Sequence, residues 1–293
     1  MTGTHQTTTL PTVVRTRDDL RELLRTRRRE GRRIGFVPTM GAFHEGHLSL
    51  MRLAGRGDDH DVVVSLFVNP AQFAPTEDLS AYPRDEERDL RMAADAGVSI
   101  VYAPPVDEVY PGGFGTTVTV SGPTGTLEGA SRPDHFAGVA TVVTKLLTLV
   151  APDRVVFGQK DAQQVAVVRR LIADLDIDAE LVVGPIVRED DGLAMSSRNA
   201  YLDPDERRAA TVLYRAVEMA EVLFAGGERN PHVLEAVALA TLREEPLCEP
   251  EYASIVDPDT FSLLDDPLDG PALLCLAARV GPARLIDNTL LSH

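Results

Sequence analysis

Apolar residues in the first two thirds of the chain fall into short runs that alternate with longer amphipathic stretches. The run DVVVSLFV at 61–68 is rich in β-branched residues, as expected for a strand covered on both faces of a parallel sheet. Similar runs predict strands at 34–38, 98–103, 154–157 and 181–183. The stretches between them predict helices at about 46–56, 84–96 and 162–175, and a buried helical face formed by Val139, Val142, Val143, Leu146 and Val150. Strands alternating with helices predict an α/β domain with a parallel sheet.

The pattern changes after residue 187. Helical spacing at 204–223 and 232–243 is followed by three consecutive strand-like runs at 252–256, 273–280 and 284–288. Helices followed by consecutive strands are typical of an α+β arrangement. We therefore predict two domains, 1–187 and a smaller α+β domain at 188–293, with residues 1–12 as a Thr-rich, frayed end.

The charge balance bears on the class of partner. The chain carries 29 Lys and Arg against 45 Asp and Glu, a formal net charge of −16, which repels a phosphate backbone and argues against nucleic-acid binding. Nine arginines lie at 15–33. Leu20, Leu23 and Leu24 recur there at helical spacing, so a solvated amphipathic helix is favoured over a polyanion-binding patch.

Cysteine usage and the shortness of the apolar runs predict a soluble, cytoplasmic protein. Cys248 and Cys275 are the two cysteines, with no CxxC pair, which excludes a disulfide scaffold and suits a reducing compartment. The first residues lack the basic lead and apolar core of a signal peptide, and the longest apolar run is too short to cross a bilayer. We expect no membrane partner.

The segment PTMGAFHEGH at 38–47 joins the first predicted strand to the next helix. Ligands of parallel α/β sheets bind beyond the carboxyl ends of the strands. Gly41 and Gly46 allow close backbone approach, and His44 and His47 share one face of the helix start beside its N–H groups, which predicts an anion site. A zinc-protease motif requires histidines four residues apart and does not fit. The remaining alternative is that the two histidines only cap the helix and pack within the turn.

A second cluster, GQKD at 158–161, follows the strand predicted at 154–157 and opens the next helix. Lys160 offers a compact cation for phosphate oxygens, and Asp161 either accepts from ribose hydroxyls or caps the helix. The alternative is that Lys160 is an ordinary solvated lysine. Its position at the end of a strand favours a functional role.

Two further sets of polar residues indicate a functional site only weakly when each is considered alone. A loop between the predicted domains suits phosphate binding and closure over a substrate, and it contains Met195, Ser196, Ser197 and Arg198. Amide side chains able to bind a small polar substrate follow the strand at 61–68, at Asn69 and Gln72. Arg132 and His135 are loop candidates of the same kind.

Taken together, PTMGAFHEGH, VNPAQF, FGQKDAQQ and MSSRN, in this order and spacing, closely resemble the pantothenate synthetase family of the HxGH nucleotidyltransferase superfamily. The resemblance is diffuse after residue 201, where EYASIVDPD and RLIDN match the family's second domain. It implies a Rossmann-like N-terminal domain, a smaller C-terminal lid domain and a homodimer. It also implies a ligase of pantothenate biosynthesis that activates pantoate with Mg-ATP as an acyl-adenylate and couples it to β-alanine.

The resemblance also implies roles for individual residues. Those implied to bind ATP are Met40, Gly41, His44, His47, Gly158, Lys160, Asp161, Val187, Met195, Ser196, Ser197 and Arg198. Among these, His44, His47, Lys160 and Arg198 would be catalytic, Gly158 and Asp161 would meet the ribose, and Val187 would pack at the adenine. Gln72 and Gln164 would hold pantoate with Asn69 beside them, and no protein-held metal is implied.

The chain departs from the family's usual residues at three positions in these segments. Phe43 stands where Leu is usual, Gln159 where Glu is usual, and Ala162 where an aromatic is usual. The last two bear on packing around ATP rather than on the reaction. Two alternatives stay open: a nucleotidylyltransferase acting on a phosphate-bearing acceptor, which the neutral Gln72 and Gln164 disfavour, and a non-catalytic adenine-nucleotide sensor.

Overall fold

The computed structural model describes residues 9–57, 59–73, 79 and 82–292, and within them it contains one parallel and one antiparallel sheet. The parallel sheet has the order β1-β4-β3-β2-β5-β6, and its strands are β1 (Thr12–Val14), β2 (Arg33–Thr39), β3 (His60–Leu66), β4 (Val98–Tyr102), β5 (Arg154–Gly158) and β6 (Glu180–Gly184). The predicted α/β class is confirmed. β1 was not predicted, because its three residues lie next to the Thr-rich end that was expected to be frayed.

The continuous apolar runs lie in the middle of this sheet. β3 pairs in parallel with β2 on one side and with β4 on the other, with Val62 opposite both Gly35 and Val98. Val63 and Val64 are fully buried, because helices cover both faces of a parallel sheet and leave no face to water.

Ten α-helices are present among the described residues: α1 (Arg17–Arg29), α2 (Glu45–Ala54), α3 (Glu86–Asp95), α4 (Val106–Val109), α5 (Leu127–Ser131), α6 (His135–Val150), α7 (Ala162–Asp174), α8 (Pro204–Ala209), α9 (Val212–Ala225) and α10 (Pro231–Arg243). The Arg-rich α1 is amphipathic as predicted and buries Leu20 and Leu24. The helical stretch predicted at 204–223 is found as two helices, because α8 ends at Ala209 and α9 begins at Val212. No described helix is long and apolar enough to span a bilayer.

The second sheet is antiparallel, in the order β7 (Cys248–Val256), β8 (Ala272–Val280), β9 (Ala283–Leu291). Apolar side chains of α9, α10 and the sheet form one core, with Leu213, Leu234, Leu274 and Leu276 at most 1% exposed. The predicted α+β character of the C-terminal part is confirmed.

The chain divides into two compact units that each use several segments. The first runs to Thr119 and takes in Asp134–Phe157 and Arg170–Gly184, and the second takes in Val120–Pro133, Gly158–Arg169 and the chain from Pro185 onward. The predicted domain boundary between residues 187 and 188 stays a prediction.

Candidate active site

The turn after β2 is fixed by its neighbours in the sheet. Thr39 Oγ1 donates to the carbonyl of Ser65 at 2.6 Å, which aligns the end of β2 with β3. The chain then turns at Gly41, with φ of 90°. A Cβ there would lie 2.7 Å from Leu66 Cδ1 and 2.9 Å from Asp89 Oδ2, so only glycine fits this turn without displacement.

Asp89 of α3 stabilises the same turn through hydrogen bonds to its backbone. Its carboxylate is 1% exposed and accepts from the backbone N–H of Ala42 and of Phe43, both at 2.9 Å. Arg88 Nη1 donates to the Phe43 carbonyl at 3.1 Å. Burial raises the pKa of the Asp89 carboxyl, and the two N–H donors oppose that rise. Sequence analysis missed Asp89, because it lies in the helix predicted at 84–96, more than 40 residues along the chain from the turn.

His44 and His47 are brought together at the start of α2. His44 is the N-cap, and its Nδ1 accepts from the Gly46 N–H at 3.2 Å, while His47 Nδ1 accepts from the His44 N–H at 3.4 Å. The ring centroids are 4.2 Å apart. Since Nδ1 is an acceptor in both rings, each neutral imidazole carries its proton on Nε2 and can donate it. The alternative in which the histidines cap the helix is therefore observed for Nδ1 of both rings.

Asn69 is a buried amide of the first unit that makes several hydrogen bonds. It is 1% exposed. Its Oδ1 accepts from Tyr110 Oη at 2.7 Å and from the Ala71 N–H at 3.3 Å. Its Nδ2 donates to Gln72 Oε1 at 3.0 Å and to the Gly138 carbonyl at 3.2 Å. With its amide engaged on both sides, Asn69 orients Gln72.

Gln72 lies in a 3₁₀ turn, Pro70–Gln72, and reaches the turn after β2. Its Nε2 contacts Met40 Sδ at 3.1 Å, and its carbonyl accepts from His135 Nδ1 at 2.9 Å. The structure therefore joins Met40, Asn69, Gln72 and His135, which lie up to 95 residues apart in sequence.

In the second unit, Lys160 lies in a 3₁₀ turn, Gln159–Asp161, that begins directly after Gly158 at the end of β5 and leads into α7. Lys160 is half-buried. Within the part of the chain that the structure describes, its ammonium makes no hydrogen bond or ion pair. Gln164 follows one turn later on α7, also half-buried.

Residues 187–195 form a short hairpin. Arg188 and Ala194 form an antiparallel bridge, and the Met195 N–H donates to the Val187 carbonyl at 2.9 Å. The turn passes through Gly192, whose φ is 90° and where a Cβ would lie 1.9 Å from the Tyr214 ring.

The hairpin leads into the serine and arginine residues that sequence analysis selected. Ser196 caps a 3₁₀ turn, Ser197–Tyr201, with its Oγ accepting from the Arg198 N–H at 3.2 Å. The Arg198 side chain is exposed. Like Lys160, its guanidinium has no ion-pair partner among the described residues. Two cations of the second unit are thus available to an anion.

Each unit therefore offers a donor set with a clear chemical preference. The first contains two imidazole rings at a helix start and a neutral amide, and the second contains two cations that have no ion-pair partner among the described residues. Both suit phosphate oxygens, while the amide suits a small polar molecule. Over residues 9–57, 59–73, 79 and 82–292, no group of three or more His, Cys, Asp or Glu could hold a metal ion.

Comparisons with known proteins agree on one family. The family model for Pantoate-beta-alanine ligase matches residues 12–290. A pantothenate synthetase of Pelotomaculum thermopropionicum is 52% identical over 281 residues, covering 96% of this chain and 99% of that protein. The crystal structure of pantothenate synthetase from Thermus thermophilus has a TM-score of 0.90 at 46% identity, covering 96% of this chain and 100% of the other. The ligase of Francisella tularensis, complexed with "Beta-gamma ATP and Beta-alanine", has a TM-score of 0.76 at 30% identity, covering 96% and 97%.

Proposed function

Because the chain belongs to the pantoate–β-alanine ligase family, we propose that it joins pantoate to β-alanine with ATP by way of a pantoyl-adenylate. In the first step a carboxylate oxygen of pantoate attacks the α-phosphorus of ATP, and the bond to the bridging oxygen of pyrophosphate breaks. In the second step the amine of β-alanine attacks the acyl carbon, the C–O bond to the phosphate breaks, and AMP leaves.

The first step needs charge compensation more than it needs a base, because the pantoate carboxylate is already ionised at neutral pH. Two unit charges of the same sign 4 Å apart repel by about 4 kcal/mol at an effective dielectric of 20. Further charge develops on the departing pyrophosphate. Fixed donors and cations that face these oxygens lower the barrier because they are oriented before the reaction begins.

The proposal assigns this compensation to His44, His47, Lys160 and Arg198. The observation that carries it is the engagement of Nδ1 in both histidines with backbone N–H groups, which places the proton of each neutral ring on Nε2, the atom proposed to donate to phosphate oxygens. His47 is also placed in the proposal to give a proton to the departing pyrophosphate. Lys160 and Arg198 are supported by their lack of an ion-pair partner in the described chain.

Gln72 and Gln164 are proposed to hold pantoate. A neutral amide can bind the carboxylate and hydroxyl groups of a hydroxy acid without adding a full charge beside the reacting carboxylate. For Gln72 the support is its fixed orientation by Asn69 and Met40. Asn69 acts in the proposal through Gln72, because its own amide is engaged within the protein.

The rest of the nucleotide is proposed to lie against residues beside these groups. Gly158 and Asp161 would meet the ribose, and Val187 would pack at the adenine. The remaining residues proposed to line the nucleotide are Met40, Gly41, Met195, Ser196 and Ser197. Support comes from the turn at Gly41 and from the hairpin that holds Val187 and Met195 together.

Magnesium is proposed to enter as Mg-ATP rather than as a resident ion. Mg²⁺ keeps several of its waters and binds through substrate phosphates with few protein carboxylates. The described residues contain no cluster of three or more metal-binding side chains, which is compatible with an ion that binds as Mg-ATP. When bound, the ion would offset charge on the phosphate oxygens.

The second step requires the β-alanine amine to be neutral, and its pKa in solution is about 10 by analogy with lysine. Solvent or the adenylate phosphate can accept the proton. Because an acyl-adenylate hydrolyses readily, exclusion of water is also required. The segment at 195–201 is proposed to close over the site for this purpose.

Location and assembly complete the proposal. A cytoplasmic location is supported by two cysteines that are buried and free, as suits a reducing compartment. A homodimer is proposed from the family resemblance, and light scattering of the purified protein measures it.

The pantoyl-adenylate is tested directly by isotope transfer. Pantoate with an ¹⁸O-labelled carboxylate is incubated with the enzyme, ATP and β-alanine, and AMP is analysed by mass spectrometry. Attack at the α-phosphorus transfers one labelled oxygen to AMP. Unlabelled AMP, or ADP as the nucleotide product, would contradict the adenylate pathway.

A further inference from the structure

Asn288 of β9 binds the turn that carries Lys160. Its side chain is 3% exposed. Nδ2 donates to the carbonyl oxygens of Gln159 and Lys160, both at 3.0 Å, and Oδ1 accepts from Gln159 Nε2 at 3.1 Å. Both amide protons and the amide oxygen are therefore engaged with two consecutive residues. Because these bonds fix two successive peptide planes, they set the direction in which the Lys160 side chain leaves the backbone.

The preceding residue, Asp287, binds the hairpin that leads to Arg198. Its carboxylate is 2% exposed and makes a bidentate ion pair with Arg188, at 2.6 and 3.0 Å. Arg188 Nη1 also donates to the Gly192 carbonyl at 3.0 Å, and the guanidinium lies 4.6 Å from the centre of the Tyr214 ring. The hairpin is thereby attached to β9 at its base, and Arg188 in turn binds the carbonyl at its tip.

The two attachments are linked through the strand itself. Successive side chains of a strand point to opposite faces, so Asp287 and Asn288 each reach a different segment. The Asn288 N–H donates to Asp287 Oδ1 at 2.8 Å, which ties the orientation of the carboxylate to the backbone of its neighbour. A shift of β9 would therefore move both segments.

We propose that Asp287 and Asn288 are positioning residues that hold Lys160 and the hairpin before Arg198 in a fixed relation to each other. This rests on the proposed function, in which both cations contact the triphosphate. The pair does not touch the substrate. Its effect on the rate arises because a cation displaced by about 1 Å from the developing charge can lower the rate by about 10²-fold.

The Gln159 side chain belongs to the same arrangement. Gln159 stands where the family usually has Glu, and its Nε2 donates to Asn288 Oδ1 at 3.1 Å. A carboxylate has no proton to donate there. In this chain the unusual Gln159 therefore has a hydrogen-bond partner, and its amide donor satisfies the oxygen of the Asn288 side chain.

A double-mutant cycle separates positioning from a role in stability alone. Pantoate-dependent pyrophosphate release is measured for wild type, Asn288→Ala, Lys160→Ala and the double variant. Thr241→Val is the matched control, because Thr241 is also buried in the second unit and its hydroxyl donates to the Val237 carbonyl of its own helix. Asn288→Ser, which keeps a polar group but loses the second donor, replaces Asn288→Ala if that variant does not fold.

We expect Asn288→Ala to lower kcat by about 10- to 100-fold in the wild-type background and by less than about 2-fold in the Lys160→Ala background. Thr241→Val should shift Tm comparably and leave kcat unchanged. Equal losses in both backgrounds, or a wild-type rate for Asn288→Ala, would overturn the inference and leave the proposed function in place. A wild-type rate for Lys160→Ala would instead overturn the role of Lys160, and the inference with it.

The other half of the pair is tested in the same way. Asp287→Asn keeps a polar side chain but loses the charge that binds Arg188, and it is combined with Arg198→Ala. We expect the effect of Asp287→Asn on kcat to disappear when Arg198 is absent. An undiminished effect would show that Asp287 does not act through Arg198.

Discussion

Asp89 Oδ1 and the backbone N–H of Phe43 lie 2.9 Å apart, and through this bond a carboxylate of α3 fixes the turn that precedes the two histidines. The other oxygen binds the N–H of Ala42, also at 2.9 Å. Two bonds from one rigid group define the path of the chain between Gly41 and His44.

Asp89→Asn should weaken both the fold and the use of ATP. An amide offers one oxygen acceptor, so one of the two N–H groups loses its partner in a buried place, at about 1–3 kcal/mol of unfolding free energy. Urea unfolding and the ATP KM measure the two effects. Asp95→Asn, at an exposed position of the same helix, is the control. Wild-type stability and KM in Asp89→Asn would contradict this account of the turn.

His47→Ala and Lys160→Ala should each lower the rate of pyrophosphate formation by about 10²-fold or more, the scale seen when an oriented charge-stabilising donor is removed. The rate is measured under single-turnover conditions with saturating ATP and pantoate. His232→Ala, at an exposed histidine, should leave it unchanged. Near wild-type rates in either variant would remove the role assigned to that residue.

Gln72→Ala should raise the pantoate KM and leave the ATP KM almost unchanged, because its amide is proposed to bind only the hydroxy acid. Asn69→Ala should act in the same direction, since Asn69 Nδ2 holds Gln72 Oε1 at 3.0 Å. Initial rates at varied pantoate and ATP separate the two constants. An unchanged pantoate KM with a raised ATP KM would refute the assignment.

Glu128 should contribute to stability in a pH-dependent manner. Burial acts to raise the pKa of Glu128, but two hydrogen bonds from Arg284, both at 2.7 Å, and one from Tyr252 outweigh it and hold that pKa below its ordinary value. Because the pKa of Glu128 is lower in the folded protein than in the unfolded chain, the unfolded chain binds a proton at Glu128 more readily. The contribution is fully present above about pH 4.3, the ordinary carboxyl pKa, and is lost as the pH falls through the lower folded value.

Glu128→Gln should therefore differ from wild type most in unfolding free energy near neutral pH, and the difference should narrow below about pH 4. Unfolding by urea at a series of pH values measures it. Glu244→Gln, at an exposed position, should show no such trend. A difference for Glu128→Gln that is constant with pH would contradict the shifted pKa.

The inner strands could be predicted because their apolar runs are continuous. The run at 61–68 has no alternation to confuse it with a surface strand, and β3 is found at His60–Leu66. β1 has only three residues, and its burial pattern is mixed, so its sequence carries little signal. Residues 204–223 keep helical spacing across Ala210 and Thr211, where the structure separates α8 from α9.

The candidate site was predictable where the chemistry lies in a local motif and not where it depends on distant support. His44 and His47 stand in one turn with their glycines. Asp89 and Asn288 are an ordinary acidic residue of a helix and an ordinary amide of a strand, and only the fold shows what they bind. Val120–Pro133, which joins the second unit, lies far in sequence from the rest of that unit, so no boundary in composition marks it.

The central claim is tested most directly by pyrophosphate release from Mg-ATP with D-pantoate, measured with and without β-alanine and alongside AMP. The account predicts pyrophosphate that depends on pantoate, with sustained AMP formation only when β-alanine is added. ATP binding without pantoate-dependent pyrophosphate would contradict it, and would favour a transferase for a phosphorylated acceptor or a nucleotide sensor.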